Sequence, residues 1–501
     1  MRQLLLILTA LSLTLCSPKS ESKDIVDQHF SVEIEHIHDF ITQIINDFEI
    51  GGAIGIGIVK DGEVVLEKAY GFRDHLNALP ATAETPFYIA SMTKSFIGTL
   101  AALLDENDEI NLGDSLINSL GFSLPKDFTI EDKTIEDLFT HTSGIENSIV
   151  SIKTAYTGNF SEKEIYDDLE TFSYPIAMGY QYSNLGYIIG ALIFKKQLLK
   201  DWKELLETRL WEPLKMSRTS AKVSSFDPDE IAKPHTLSSG IVKTASFLKK
   251  DDTMHAAGGM LTTIEDMNKW MNFHLGKGPE LLSEDAFNYI HSDLVGLYEK
   301  MGTLNSYGYG LGWRLADWKE YEISWHGGGY PGYRSLCLLS RTENLGITIL
   351  MNQESPSLTL VADFLLGNFL KIPDFETFIS TRKANLMSGW ERYQFVRDST
   401  LTEGNKKYKL TRSIKSYEGV FLNEELGEIV ANTQSASLQL SIGNLTFNTN
   451  YIGDDSFFFF SDSDQLYGTM DFYFETIDQE ETVSSLDFSG LEYKLVKFKG
   501  Q

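Results

Sequence analysis

The sequence predicts an α+β fold: an antiparallel sheet closed by strands from both ends of a large domain, with helices packed on it, followed by a small all-β unit. Three observations carry this. Two strand-like runs near the start are joined by an Asp-Gly pair, apolar strand-like runs return at Ser335–Leu339 and Ile347–Met351, and beyond Thr411 short alternating strands take over.

The 501 residues exceed what one core usually needs, so more than one folded unit is expected. Apolar content of 42% and charge of 23% are ordinary for a globular chain. The net charge of −28 argues against a nucleic-acid partner, which needs a basic surface to neutralise phosphates. It is read as a solvated acidic surface and selects no substrate.

Met1-Arg2 precedes an apolar run from Leu4 to Leu15, too short to span a bilayer as a helix. With the polar stretch Ser17–Ser22 behind it, this reads as a secretory signal over residues 1–16 and a linker over 17–31. Cys16 ends the run Leu13-Thr14-Leu15-Cys16, which resembles a bacterial lipobox, although Leu15 replaces the small residue such motifs prefer. Two readings stay open: membrane attachment through a lipidated Cys16, or an ordinary cleaved signal in which Cys16 has no role. The expected location is periplasmic, membrane-anchored or secreted. The other cysteine, Cys337, lies in Leu336-Cys337-Leu338-Leu339 and reads as a small buried hydrophobe.

From Asp24 to Glu49, Ile34, Ile37, Phe40, Ile41, Ile44 and Ile45 recur at helical spacing. The run Gly51–Val59 and the strand Val64–Tyr70 flank Asp61-Gly62, a hairpin signal. Gly55 and Gly57 lie inside a strand and open no helix, so they make no nucleotide loop. Residues 371–412 read as a helical connector, and 413–501 as a barrel or sandwich. From Ile414 onward 15 acidic residues face 4 lysines, and Phe457–Phe460 reads as a strand buried on both faces.

The chemistry concentrates in three clusters. In Phe87-Tyr88-Ile89-Ala90-Ser91-Met92-Thr93-Lys94, Ser91 and Lys94 lie one helical turn apart. Serine needs a neighbour to take its proton, and a lysine with a lowered pKa can do so. The same spacing recurs at Ser20/Lys23, Ser123/Lys126, Ser246/Lys249 and Ser380/Lys383, but only Ser91 opens a long apolar helix. Tyr182-Ser183-Asn184 supplies a phenol able to relay a proton, and an amide able to accept from Lys94 while donating to a carbonyl. His326-Gly327-Gly328-Gly329 sets a histidine before glycines that let a strand edge approach substrate.

Taken in this order, Ser91-x-x-Lys94, Tyr182-Ser183-Asn184 and His326-Gly327-Gly328 resemble the three motifs of the class C β-lactamase and penicillin-binding-protein family of serine hydrolases. Further landmarks are Leu138–Ile145, Glu212–Met216, Ala257–Thr263 and Tyr307–Trp313. The resemblance covers residues 32–370. It implies a sheet with helices on both faces plus an all-helical lobe, and an acyl-enzyme on Ser91 with Lys94 and Tyr182 moving its proton. It implies further that backbone N–H groups of Ser91 and Gly329 hold the oxyanion, with Asn184, His326 and Gly328 also lining the site. Residues 413–501 look like the small β domain often appended to this family. His141, inside the first landmark, is read as structural.

Family members that act on β-lactams usually carry lysine where this chain has His326, whose charge near neutral pH is only partial. An ester or amide of a small molecule or peptide is therefore the expected substrate. Two alternatives remain: a β-lactamase or D-Ala-D-Ala-type peptidase, and a catalytically retired peptidoglycan-binding surface protein. No metal site and no cofactor are expected, since only His36-Ile37-His38 has ligand-like spacing and it lies on a surface-like helix.

Overall fold

Strand β2, Ala53–Lys60, places Ile54, Ile56 and Ile58 on one side of a sheet and Gly55 and Gly57 on the other. The bare side has a use. A Cβ on Gly55 would stand 2.6 Å from Ile264, and one on Gly57 would stand 2.4 Å from Asn268, so the two glycines let a helix lie flat on the strand. Asp61 and Gly62, both with positive φ, turn the chain into β3, Glu63–Asp74.

The computed structural model describes Ile25–Val26 and residues 30–497, apart from 126–127, 129, 131, 157–160, 239, 246–248, 424–425, 435–436, 444, 462–466, 478–479 and 489–490, with the backbone alone for 25–26, 238, 396–407, 467, 477, 480, 491 and 497. The expected signal over residues 1–16, Cys16 and most of the 17–31 linker lie outside the described residues.

The strands β1 (Ile25–Val26), β4 (Val295–Met301), β5 (Leu304–Tyr309), β6 (Arg314–Trp318), β7 (Tyr321–Tyr330), β8 (Tyr333–Ser340) and β9 (Leu345–Met351) complete an antiparallel sheet. Its order is β1-β3-β2-β9-β8-β7-β6-β5-β4, with Leu79–Pro80 added on β3. Both ends of the domain thus meet at its middle, where β2 pairs with β9 (Ile56 opposite Ile349). The strands β4 to β6 were not legible in advance, because β4 shows solvent mainly charged and aromatic side chains without a clean apolar alternation.

Helices cover both faces. On one, α1 (Ser31–Asp47) and α5 (Ser357–Leu370) bury Ile37, Ile41, Ile44, Val361 and Leu365 against the isoleucines of β2 and β9. On the other lie α2 (Thr93–Glu106), α3 (Leu185–Leu198) and α4 (Ile264–His274), sharing a second core. Every residue of α2 from Thr93 to Leu104 is buried, the polar Thr93, Lys94, Ser95 and Thr99 included, so the helix is enclosed on all sides. Cys337 is fully buried in this core.

After α5 the chain runs through the 33-residue helix α6, Phe375–Lys407, whose Phe378, Leu386, Met387 and Trp390 pack on the first face. Eight strands between Gly419 and Lys497 then close into an antiparallel barrel, the last pairing with the first. The all-β unit is therefore a barrel and not a sandwich. Phe457–Phe460 departs from its expected burial on both faces. Phe457 and Phe459 fill the barrel interior while Phe458 and Phe460 stack on each other outside, half-buried, because a closed barrel has only one apolar side. One apolar cluster holds this interior together with Tyr88, Ala90, Tyr330 and Tyr333.

Candidate active site

Ser91 sits in a single 3-10 turn, Ala90–Met92, that leads into α2, so Lys94 follows on the same side one turn later. The lysine is fully buried. Its Nζ donates to the backbone oxygen of Ala257 (2.6 Å), to Asn184 Oδ1 (2.8 Å) and to Ser91 Oγ (3.2 Å). Burial pushes the amine below the ordinary lysine range, Tyr182 pulls it part of the way back, and Arg314 lowers it further. Asn184 stands at the start of α3 but does not cap it, because its side-chain oxygen is engaged by Lys94 instead.

Tyr182, on the loop before α3, lies over the same lysine. Lys94 Nζ is 5.1 Å and Arg314 Cζ 4.9 Å from its ring centre, and the residue keeps 38% of its surface open. Burial of the hydroxyl end would raise this phenol. The charges of Lys94 and Arg314, with hydrogen bonding to Ser91 and Lys94, outweigh that and leave it below the ordinary tyrosine value.

Strand β7 forms the opposite wall. Its partner β6 begins at Arg314, opposite Trp325, so Gly327–Tyr330 has no strand on that side among the described residues. This free edge runs against the nucleophile turn: a Cβ on Gly328 would stand 2.0 Å from the Ile89 carbonyl oxygen, and Ser335 Oγ of the next strand donates to that same oxygen (2.7 Å). Gly329 follows on the same edge, opposite Arg334 on β8. The three motifs predicted to converge do so, bringing Ser91, Lys94, Tyr182 and Asn184 into one cluster with the edge of Gly328 and Gly329 beside it.

His326 lies beneath that edge and is fully buried. Nδ1 is 2.8 Å from the Gly327 carbonyl oxygen, which assigns it the proton and leaves Nε2 to accept from Tyr309 Oη at 3.2 Å. Tyr309 Oη in turn lies 3.2 Å from His141 Nε2, while His141 Nδ1 accepts the Ser183 N–H (3.1 Å). The roles form one consistent run, Ser183 N–H to His141 to Tyr309 to His326 to Gly327 O, joining the Tyr182 loop to the glycine edge. Both imidazoles must be neutral to fill it. Burial first, then Arg314 and Lys94, hold His326 well below the usual histidine range, and the same forces act on His141. His326 is thus less charged near neutrality than histidine's ordinary behaviour suggests.

Three members of this constellation lie outside the three catalytic motifs, Ala257 and Tyr309 within the secondary landmarks and Arg314 just after one. Ala257 contributes only a carbonyl oxygen. Tyr309 and Arg314 flank the Gly310-Leu311-Gly312-Trp313 turn, and the signal for Arg314 was its place immediately after that landmark. Its guanidinium donates from Nε to Glu299 Oε2 (2.8 Å) and lies over the rings of Tyr182, Tyr309 and Trp325.

Residues 41–366 match the β-lactamase family. The chain belongs to that family of serine hydrolases. Among curated proteins it is similar to the protein flp of Staphylococcus aureus, 25% identical over 346 residues, 68% of each chain. The penicillin-binding protein homologue of Pyrococcus abyssi, described as octameric, superposes with a TM-score of 0.59 at 20% identity, covering 92% of this chain and 99% of that one. The D-amino acid amidase of Ochrobactrum anthropi SV3 superposes with a TM-score of 0.58 at 22% identity, covering 68% and 99%. At such identities the two structures establish a shared fold.

Proposed function

We propose that the protein is an exported serine hydrolase that cleaves an ester or amide bond through an acyl-enzyme on Ser91. The observation that carries this is the fully buried Lys94 amine, 3.2 Å from Ser91 Oγ and held below its ordinary pKa. As Ser91 Oγ attacks the substrate carbonyl carbon, its proton passes to the Lys94–Tyr182 pair. The carbonyl oxygen takes negative charge beside the N–H groups of Ser91 and Gly329. The pair then returns the proton to the departing alcohol or amine, the C–O or C–N bond breaks, and the acyl group remains on Ser91. Water loses a proton to Tyr182 and attacks the ester; the C–Oγ bond breaks, Tyr182 passes that proton to Ser91 Oγ, and the acid leaves. Asn184, its oxygen fixed by Lys94, presents its amide N–H to the substrate.

The substrate preference rests on His326. A buried neutral imidazole offers no fixed charge to a substrate carboxylate, and the Arg314 guanidinium is already paired with Glu299. This favours esters and amides over penicillins, and the D-amino acid amidase fold relative supports including amides.

A fluorophosphonate should add to Ser91, detected as a mass shift on its peptide and absent in Ser91→Ala, and Lys94→Ala should slow acylation about 10³-fold. Turnover of p-nitrophenyl esters should exceed that of nitrocefin, with D-Ala peptides assayed alongside. Folded protein that takes no label would remove the enzyme reading and leave the retired binding protein. Export is checked by the mature N-terminus, expected at or near Cys16.

A further inference from the structure

We propose that Arg314 is the permanent cation of the site, holding the Tyr182 hydroxyl ready to give up and regain a proton while Lys94 changes charge. It is a positioning residue, acting through Tyr182, and the proposal rests on the reading that Tyr182 carries a proton. Two cations bracket the Tyr182 ring, Lys94 Nζ at 5.1 Å and Arg314 Cζ at 4.9 Å. Only one of them can lose its charge, because a guanidinium stays protonated in proteins. Each time Lys94 became neutral to accept a proton, a phenolate supported by lysine alone would lose its counter-charge. A guanidinium in the same place removes that coupling.

The setting of Arg314 fits this role better than contact with substrate. It opens β6 where β7 loses its partner strand, and only 9% of it is exposed. Its Nε is engaged by Glu299 and its Nη1 lies 3.5 Å from His326 Nε2. Aromatic faces of Tyr182, Tyr309 and Trp325 surround the guanidinium carbon at 4.9, 5.6 and 5.0 Å.

The groups facing Tyr182 come from every neighbouring element: Lys94 on α2, His141 on the loop after Phe139, Tyr180 on its own loop, Tyr187 on α3, Tyr309 on β5 and Arg314 on β6, with Glu299 on β4 and His326 on β7 behind Arg314. Burial holds both histidines below, and the three other tyrosines above, their ordinary values, so none of these five is charged near neutral pH. That leaves Lys94, Arg314 and Glu299 to set the potential at the phenol.

The signs give the test. The rate of Ser91 acylation by a p-nitrophenyl ester is followed from about pH 5 to about pH 10 in the wild type, Arg314→Gln, Arg314→Lys and Glu299→Gln. Losing the fixed cation should move the midpoint of the acid limb up by about one unit, so Arg314→Gln is slowed by up to ~10-fold along the acid limb and recovers toward the wild type at high pH. Arg314→Lys should fall between the two. Glu299→Gln, which keeps an acceptor for Nε and removes a negative charge, should move the midpoint down. Equal slowing of Arg314→Gln at every pH, or a Glu299→Gln midpoint shifted the same way as that of Arg314→Gln, overturns the inference. A wild type whose Ser91 takes no acyl group would instead overturn the underlying function, so the two failures are distinguishable.

Discussion

The Tyr309 hydroxyl is the middle link of a directed hydrogen-bond run, receiving from His141 and donating to His326. Replacing it with phenylalanine leaves an N–H on one side and a lone pair on the other, both buried and unpaired. Each orphan costs about 1–3 kcal/mol, and the nearby Arg314 Nη1 can relieve only the lone pair. Tyr309→Phe should therefore lower stability to urea by about 2 kcal/mol, measured as a shifted unfolding midpoint at unchanged slope. An unshifted midpoint would mean that the hydroxyl bridges nothing. Of the groups in this network, Ser91, Lys94, Tyr182 and Asn184 were readable in the sequence because each sits in a short contiguous motif whose chemistry is local. Ala257 and Tyr309 fell inside landmark segments and Arg314 just after one, but nothing in those segments gave the three a role. Strand register and loop packing bring them to the site, and no linear spacing records either.

At the level of elements, the site depends on how closely β7 approaches the turn before α2. Gly328 makes that approach possible, and Gly328→Ala would force the Ile89 carbonyl and the strand apart, since a methyl 2.0 Å from an oxygen cannot stay. A shift of about 1 Å between nucleophile and strand edge is expected to cost ~10²-fold in Ser91 acylation, read by the same ester assay. The hairpin at Asp61-Gly62 and helix α1 were legible because backbone chemistry and apolar period specify them directly. The alternation of Phe457–Phe460 was misread because four identical apolar residues carry no period, and closure of the barrel alone decides which two face inward.

Across the described residues, six histidines (His141, His235, His255, His274, His291 and His326) are held below the ordinary value, chiefly by burial, His255 to about 4 and His291 to about 3. An unfolded chain takes up protons at these positions near pH 6.5, while the folded one does not. Their contribution to stability is thus complete above that pH and is lost as the pH falls toward the folded values. Carboxylates of ordinary pKa stay ionised down to about pH 5, so relief of the acidic surface charge does not cancel the effect in that range. Calorimetry should show the melting temperature falling steadily from about pH 7 to about pH 5; a flat or rising trend would contradict the burial of these imidazoles.

The pairing of β2 with β9 also governs when this sheet comes into being. Ile56 and Ile349 are roughly 290 residues apart along the chain. Closing a loop of that length costs entropy before the pairing returns any energy, so the first hairpin forms early and waits for its neighbour. During that interval the β2 edge carries N–H and C=O groups with no strand partner, the condition under which strands find wrong partners. Whatever delays β9 therefore prolongs the exposure of that edge.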